Sequence, residues 1–252
     1  MNWKFWKKPT QEVEFWSVFD PLNHSSLNYL WPQNATNFFP EWFKKVPRNI
    51  DNSSDKPTIR KCPVFPEFMT QGYIIPMWAD FDIMLNEDGS YNWECAYETE
   101  QFGWDWHHPD QYLNWIPKHE RDKWGNSLKA INPWRVKTPP GYSCYCFPLM
   151  YHFTDIQPLP GSIRTDIWHE INVPLVFPKH LVGKKITLKR GDPFLWIIPF
   201  KRDKLSMSMR SYNQETKLLT EASNFNGMSK FDNGYKTAGQ MSDGKILKMM
   251  KE

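Results

Sequence analysis

Cysteine is scarce in this 252-residue chain: four, at Cys62, Cys95, Cys144 and Cys146, with no C-x-x-C pair among them. That excludes a disulfide-framed scaffold and the usual zinc spacings, and leaves reduced structural thiols. Cys144 and Cys146 stand two apart, so on a strand they face one side and cannot easily bridge each other. No apolar run approaches the roughly 20 residues a membrane-spanning helix needs, and no membrane contact is expected. Met1–Lys8 is basic and aromatic with no apolar stretch behind it, so no signal peptide is expected. An excess of one charge is missing too. Thirty-one Lys and Arg against 28 Asp and Glu leave +3, too little to imply nucleic acid. There is no G-x-S-x-G, no P-loop and no dinucleotide fingerprint.

What is present is aromatic. Phe, Trp and Tyr make up 16% of the chain, with 14 Trp, while total hydrophobics stay ordinary at 40%. The core is therefore built from few, large residues, and some indoles are expected at the surface. The 21 prolines argue against long helices. Thr138–Arg202 holds the most regular pattern: short β-rich runs cut by Pro and Gly. Thr138-Pro139-Pro140-Gly141 is turn chemistry. Tyr142–Tyr151, the alternating Ile163, Thr165, Ile167 and His169, Val173–Phe177, Ile186–Leu188 and Phe194–Phe200 then read as strands. Pro199 places the end of the last run at an edge or a bulge, and Trp196 and Ile198 are expected in the core. Five or six strands at this spacing predict a mainly β fold, an antiparallel β-sandwich or jelly-roll-like barrel with few short helices.

Elsewhere the pattern predicts three parts. Residues 1–57 read as an aromatic N-terminal arm, with a strand in Val13–Phe19 and a short helix around Pro40–Lys45. Residues 58–210 read as the β-sandwich domain. Its first stretch, Thr58–Leu85, reads as a strand, a turn at Gly72 and a second strand from Tyr73 onward, followed by a hairpin at Asp88-Gly89 with Tyr91–Tyr97 returning. One or two helical turns fit Pro117–Trp124, and Leu205, Met207 and Met209 alternate as a last strand. Residues 211–252 read as a flexible tail carrying one short helix.

A series of motifs runs through the middle of the chain: Pro40-Glu41-Trp42-Phe43-Lys44, TIRKCP…GYIIPMWADF, HHPDQ, NPWRVKTPPGYSC…PL, HEINVPLVFP and KRGDPFLWIIPFKR. In this order they resemble an uncharacterised family found mostly in tailed phages, with more distant bacterial relatives. The resemblance covers roughly residues 40–205. It implies a phage origin, a β-rich domain, and a place in the host cytoplasm or the virion. It brings no catalytic residues.

Two site chemistries compete. Trp104, Trp106, His107, His108, Asp110, Gln111, Tyr112 and Trp115 fall within twelve positions. Indoles stack on sugar rings or anchor protein partners while neighbouring polar groups fix orientation. Trp104, Trp106, His108, Asp110, Gln111 and Tyr112 are the candidate ligand-binding residues, against the plainer reading that these rings cover a sheet edge. The alternative is a non-haem Fe(II)/2-oxoacid oxygenase, with His108 and Asp110 joined by His169 or His180 and with Arg190 on the oxoacid. Pro109 between the first two ligands weighs against it. Gly191-Asp192 before a hydrophobic strand is cupin-like, but Lys201–Lys204 stand where that motif has its histidine. Asp80 and Asp82 are on one strand face and could act as acid and base; two solvated aspartates are the commoner outcome. The sequence reading is a binding or assembly protein, without metal or cofactor, with a protein or carbohydrate partner and self-association left open.

Overall fold

The longest strand of the protein contains a proline at its tenth position. In the computed structural model of the chain, which describes residues 11–53, 56–95 and 101–229, the strands in order are β1 (Glu14–Ser17), β2 (Gln33–Asn34), β3 (Tyr73–Pro76), β4 (Phe81–Leu85), β5 (Tyr91–Cys95), β6 (Trp104–Trp106), β7 (Trp124–Lys137), β8 (Tyr142–Phe147), β9 (Gln157–Pro158), β10 (Gly161–Ile163), β11 (Glu170–Pro178), β12 (Lys185–Leu188) and β13 (Pro193–Lys201). The α-helices are α1 (Glu41–Lys45), α2 (Val64–Met69), α3 (Lys118–Arg121) and α4 (Gln214–Ser229). Contacts divide the chain into two units, Met1–Pro40 with Thr70–Asp203, and Glu41–Met69 with Lys204–Glu252.

The first unit is mainly β, an antiparallel sandwich with a barrel-like curl. One sheet runs β1-β7-β11-β9 with β6 also on β7, a second runs β10-β8-β13-β3-β2, and a third runs β12-β4-β5. β7 organises the first sheet. One edge pairs with β11 along most of its length, and the other takes β6 at Leu128–Ala130 and β1 at Trp134–Lys137. Pro133 is accommodated by a bulge, in which Ile171 alone stands opposite Asn132, Pro133 and Trp134. The buried Asn132 side chain fills the gap in the ladder, donating to Ile171 O and accepting from Trp134 N at 2.9 Å. Arg135 covers the neighbouring carbonyls, donating to Asn132 O and Trp134 O, and reaches Glu170 at 3.2 Å.

Aromatic rings from all three sheets meet in the core. Trp104 of β6 lies edge-on to Phe177 of β11, Phe194 of β13 and Phe81 of β4. Trp31, held by its indole N–H on Leu22 O at 2.9 Å, packs on Trp134. Gly72, at φ +66°, makes the turn into β3; a Cβ there would lie 2.1 Å from Ile197 O, so no larger residue fits.

β13 is central, between β8 and β3, which explains its burial on both faces from Phe194 to Ile197. β3 stops pairing at Ile197, so Pro199 faces a partner only on the β8 side. The proline does sit at a local edge. Ile198, past the end of β3, is only half-buried, and the fully buried residue is Ile197. The strands of 138–202 distribute over the three sheets.

Four other expectations are corrected. Ile163–His169 is not one strand: β10 ends at Ile163, a turn follows, and Ile167 is exposed. The run from Tyr142 ends as a strand at Phe147, before Tyr151 and Phe153 take left-handed backbone, φ 68° and 54°. In the second unit Thr58–Met69 folds as a short 3-10 turn and α2, with Pro66 in the first helical turn, where no N–H is needed. Leu205–Met209 forms no strand, and its apolar side chains are exposed. β7 itself, by contrast, was not anticipated as a strand.

Within the second unit, Arg60 donates to Lys44 O and Val46 O, satisfying carbonyls at the end of α1. Asn213 and Thr216 exchange bonds at the start of α4, each accepting the other's backbone N–H, at 2.9 and 2.8 Å. The β1 strand, the α1 helix and the β4–β5 hairpin form where the sequence places them, the last with Gly89 at φ +85°. Tyr97 and the tail beyond Ser229 lie outside the described residues.

Candidate functional site

The aromatic cluster of 104–115 begins inside the molecule and ends outside it. β6 enters beside Gly103, where any Cβ would strike the Trp93 ring at 2.5 Å. Trp104, 4% exposed, is thereby committed to the core, and its indole N–H has no hydrogen-bond partner. It touches no solvent-facing groove, which removes it from the candidate ligand contacts. Asp105 sits opposite Lys129 of β7, 3.6 Å away. Trp106 is half-buried, stacked on Tyr91 of β5 with centroids 5.8 Å apart, and edge-on to His108. Burial, then the Asp105 charge, raises the Tyr91 hydroxyl above its ordinary value. Burial and the Lys129 charge lower His107, whose carbonyl accepts from Ser127 at 2.7 Å.

From His108 the chain forms a loop that satisfies its own polar groups. His108 Nδ1 accepts from Asp110 N at 3.2 Å, and Gln111 Oε1 accepts from His108 N at 3.1 Å, so each caps the helical turn Pro109–Gln111. Asn114 donates to Asp110 Oδ1 at 2.6 Å, and the Trp115 indole N–H donates to Asp110 O. Leu113, 5% exposed, is the apolar root of the loop, and Tyr112 is half-buried. Trp115 is 79% exposed. A large ring is thus pinned by its own nitrogen and held out to solvent, on a loop with little freedom to fold it away.

The structure therefore links Trp106, His108, Asp110 and Gln111 through direct contacts, leaves Tyr112 half-buried next to them in the chain, and buries Trp104 in the core. The sequence cluster contained Trp115, but nothing in the pattern distinguished the exposed indole from the buried one.

The residues weighed as iron ligands do not converge. Among the described residues no group of three His, Cys, Asp or Glu side chains is placed to hold a metal ion. His169 Nδ1 lies 3.1 Å from both Val136 O and Thr165 O, with its ring edge-on to Trp16. His180 lies in the turn Lys179–Leu181, and Arg190 sits over the Tyr29 ring. Asp80 accepts from Arg190 N at 2.8 Å, while Asp82 accepts from Thr187 at 2.6 Å and pairs with Lys185 at 2.7 Å. Those two bonds hold the Asp82 carboxyl below its ordinary value, which suits an ion pair and not an acid. A shallow cleft of about 210 Å³ on this outward face is lined by Asp82, Met84, Asn92, Glu94 and Lys185.

No protein-family model matches this chain, and no curated protein matches it in sequence.

Proposed function

We propose that this is a non-catalytic binding protein, of a kind a tailed phage uses in its virion or on a host target, with the loop 107–115 as its contact surface. The observation that carries the reading is Trp115, 79% exposed and fixed through Asp110. A rigid exposed indole costs little entropy on binding and is the commonest type of interface anchor.

A protein partner fits better than a sugar. Sugar recognition needs free amides and carboxylates around the ring, whereas His108, Asp110, Gln111 and Asn114 use theirs within the loop. The neighbouring stacked pair, Trp106 on Tyr91, has part of its ring surface already covered.

The test is affinity purification of the tagged chain from infected cells, in parallel with Trp115→Ala, together with mass spectrometry of purified virions. The expected result is a stoichiometric partner retained by the wild-type chain and lost by an otherwise stable Trp115→Ala. An identical set of captured proteins for both chains would overturn the assignment of the surface. A turnover assay is not the discriminating measurement, because no catalytic group converges on this loop.

A further inference from the structure

Leu205, Met207 and Met209 alternate with Ser206 and Ser208 as a half-buried strand would, yet among the described residues they pair with no strand, and they are 93%, 85% and 87% exposed. Three large apolar side chains in water each forfeit the free energy of burial. The sequence is written for a strand that the single chain does not complete.

A matching vacancy exists on β5. It pairs only with β4 among the described residues, and none of those forms a strand along its other edge. Along the core-facing side, Phe81, Ile83 and Leu85 of β4 are fully buried, whereas their partners Cys95, Trp93 and Tyr91 are only half-buried. The core layer thins out at this edge. Both strips carry three apolar positions at the same two-residue spacing.

We propose that Leu205–Met209 of one copy adds as a strand to the free edge of β5 in a second copy of this chain, a strand-addition mode of assembly. Leu205, Met207 and Met209 extend the core-facing layer beside Cys95, Trp93 and Tyr91, while Ser206 and Ser208 fall on the outward side with Glu94 and Asn92. The charges agree. Lys204 and Arg210 flank the donated segment, and β5 and its hairpin carry Glu87, Asp88 and Glu94.

Other edges fit less well. β12 is flanked by Lys184, Lys185 and Lys189, which repel a basic segment, and β2, β6, β9 and β10 are only two or three residues long. The one acid of β1, Glu14, already holds Lys137 at 3.2 Å. The inference goes beyond the function proposed above, since it uses neither Trp115 nor its loop, and either could fail alone.

Cys95 is a built-in reporter. In a Cys62→Ser background, Leu205→Cys faces Cys95 if the added strand runs antiparallel, and Met209→Cys faces it if the strand runs parallel. Under mild oxidation one of the two variants should form an intermolecular disulfide several-fold more than the other. Light scattering should give the wild-type chain a mass of two or more copies, and a triple serine variant at 205, 207 and 209 should return the mass of one while still unfolding in a single cooperative transition. Three results would overturn the proposal: a wild-type monomer at every soluble concentration, equal or absent cross-linking in both variants, or a cross-link that closes within one chain.

Discussion

Arg202 grips Asp166 with two guanidinium nitrogens, Nη1 on Oδ1 at 3.0 Å and Nη2 on Oδ2 at 2.5 Å. The pair ties the end of β13 to the turn between β10 and β11, and only 8% of the Asp166 side chain is exposed. Gly141 N donates to the same carboxylate at 3.0 Å, and Arg202 also reaches Tyr142 O and Ser143 Oγ. Beside it, Thr138 and Thr165 share a buried hydroxyl bond of 2.7 Å. The T-P-P-G turn is therefore one wall of a polar clamp closing this end of the sandwich.

That clamp should respond to acid. The Arg202 hydrogen bonds, helped by Gly141 N, bring the Asp166 carboxyl down to about 2, against roughly 3.9 in an unfolded chain. A carboxyl lowered by folding stabilises the fold fully above its unfolded value and loses that contribution as pH falls through its folded value. In urea melts, Asp166→Asn should be less stable than wild type by a constant margin above about pH 5. The margin should close between about pH 4 and pH 2. A margin independent of pH would mean that the charge does not matter.

Two indoles eleven residues apart should behave oppositely. Trp104→Ala opens a cavity where the three sheets meet and should cost about 3–5 kcal/mol. Trp115→Ala should fall within about 0.5 kcal/mol of wild type, as exposed positions do. Chemical denaturation of both variants checks this, and a large loss at Trp115 would make it a structural residue.

Asn132→Ala strips the bulge of its filler, leaving Ile171 O and Trp134 N without these bonds. Each orphaned group should cost about 1–3 kcal/mol. Asn132→Asp, which keeps the acceptor for Trp134 N but loses the donor to Ile171 O, should not restore wild-type stability.

Thiol labelling should split the cysteines into two pairs. Burial pushes Cys144 up to about 11 and Cys146 up to about 12, while Cys62 and Cys95 are half-buried. At pH 8 a maleimide or disulfide reagent should modify Cys62 and Cys95 in the folded protein, and Cys144 and Cys146 only after unfolding. Fast labelling of all four would show that β8 is not a core strand.

The parts of the fold legible in the sequence are those whose turns announce themselves. Thr138–Gly141, Asp88-Gly89 and Gly191–Pro193 punctuate β8, the β4–β5 hairpin and β13 as the residues suggest. β7 is not announced by its residues, because the bulge at Pro133 and its Asn132 filler make sense only once β11 is in place. Ile163–His169 alternates well enough for a strand, but the Asp166 clamp outweighs that weak propensity. Between Thr58 and Met69, Pro63 and Pro66 stand at the start of α2, where proline favours the helix over the expected strand. At the site, the crowding of aromatics was visible, but burial is a property of what packs opposite. Phe81, Phe177 and Phe194 pack around Trp104 in the core, while Asp110 O holds the Trp115 indole N–H at the surface.

The pairing of β1 with β7 joins Glu14 to Lys137, residues 123 apart in the chain. During synthesis, at about 5–20 residues per second, β1 leaves the ribosome about 6–25 s before its partner edge has been made. For that interval Phe15 and Trp16 have no sheet to join, and contacts this distant in sequence are slow to form even once both strands exist. The β1 segment is thus the part of this sheet that waits longest for its partner, and slowing translation upstream of Lys137 should lower the yield of folded protein.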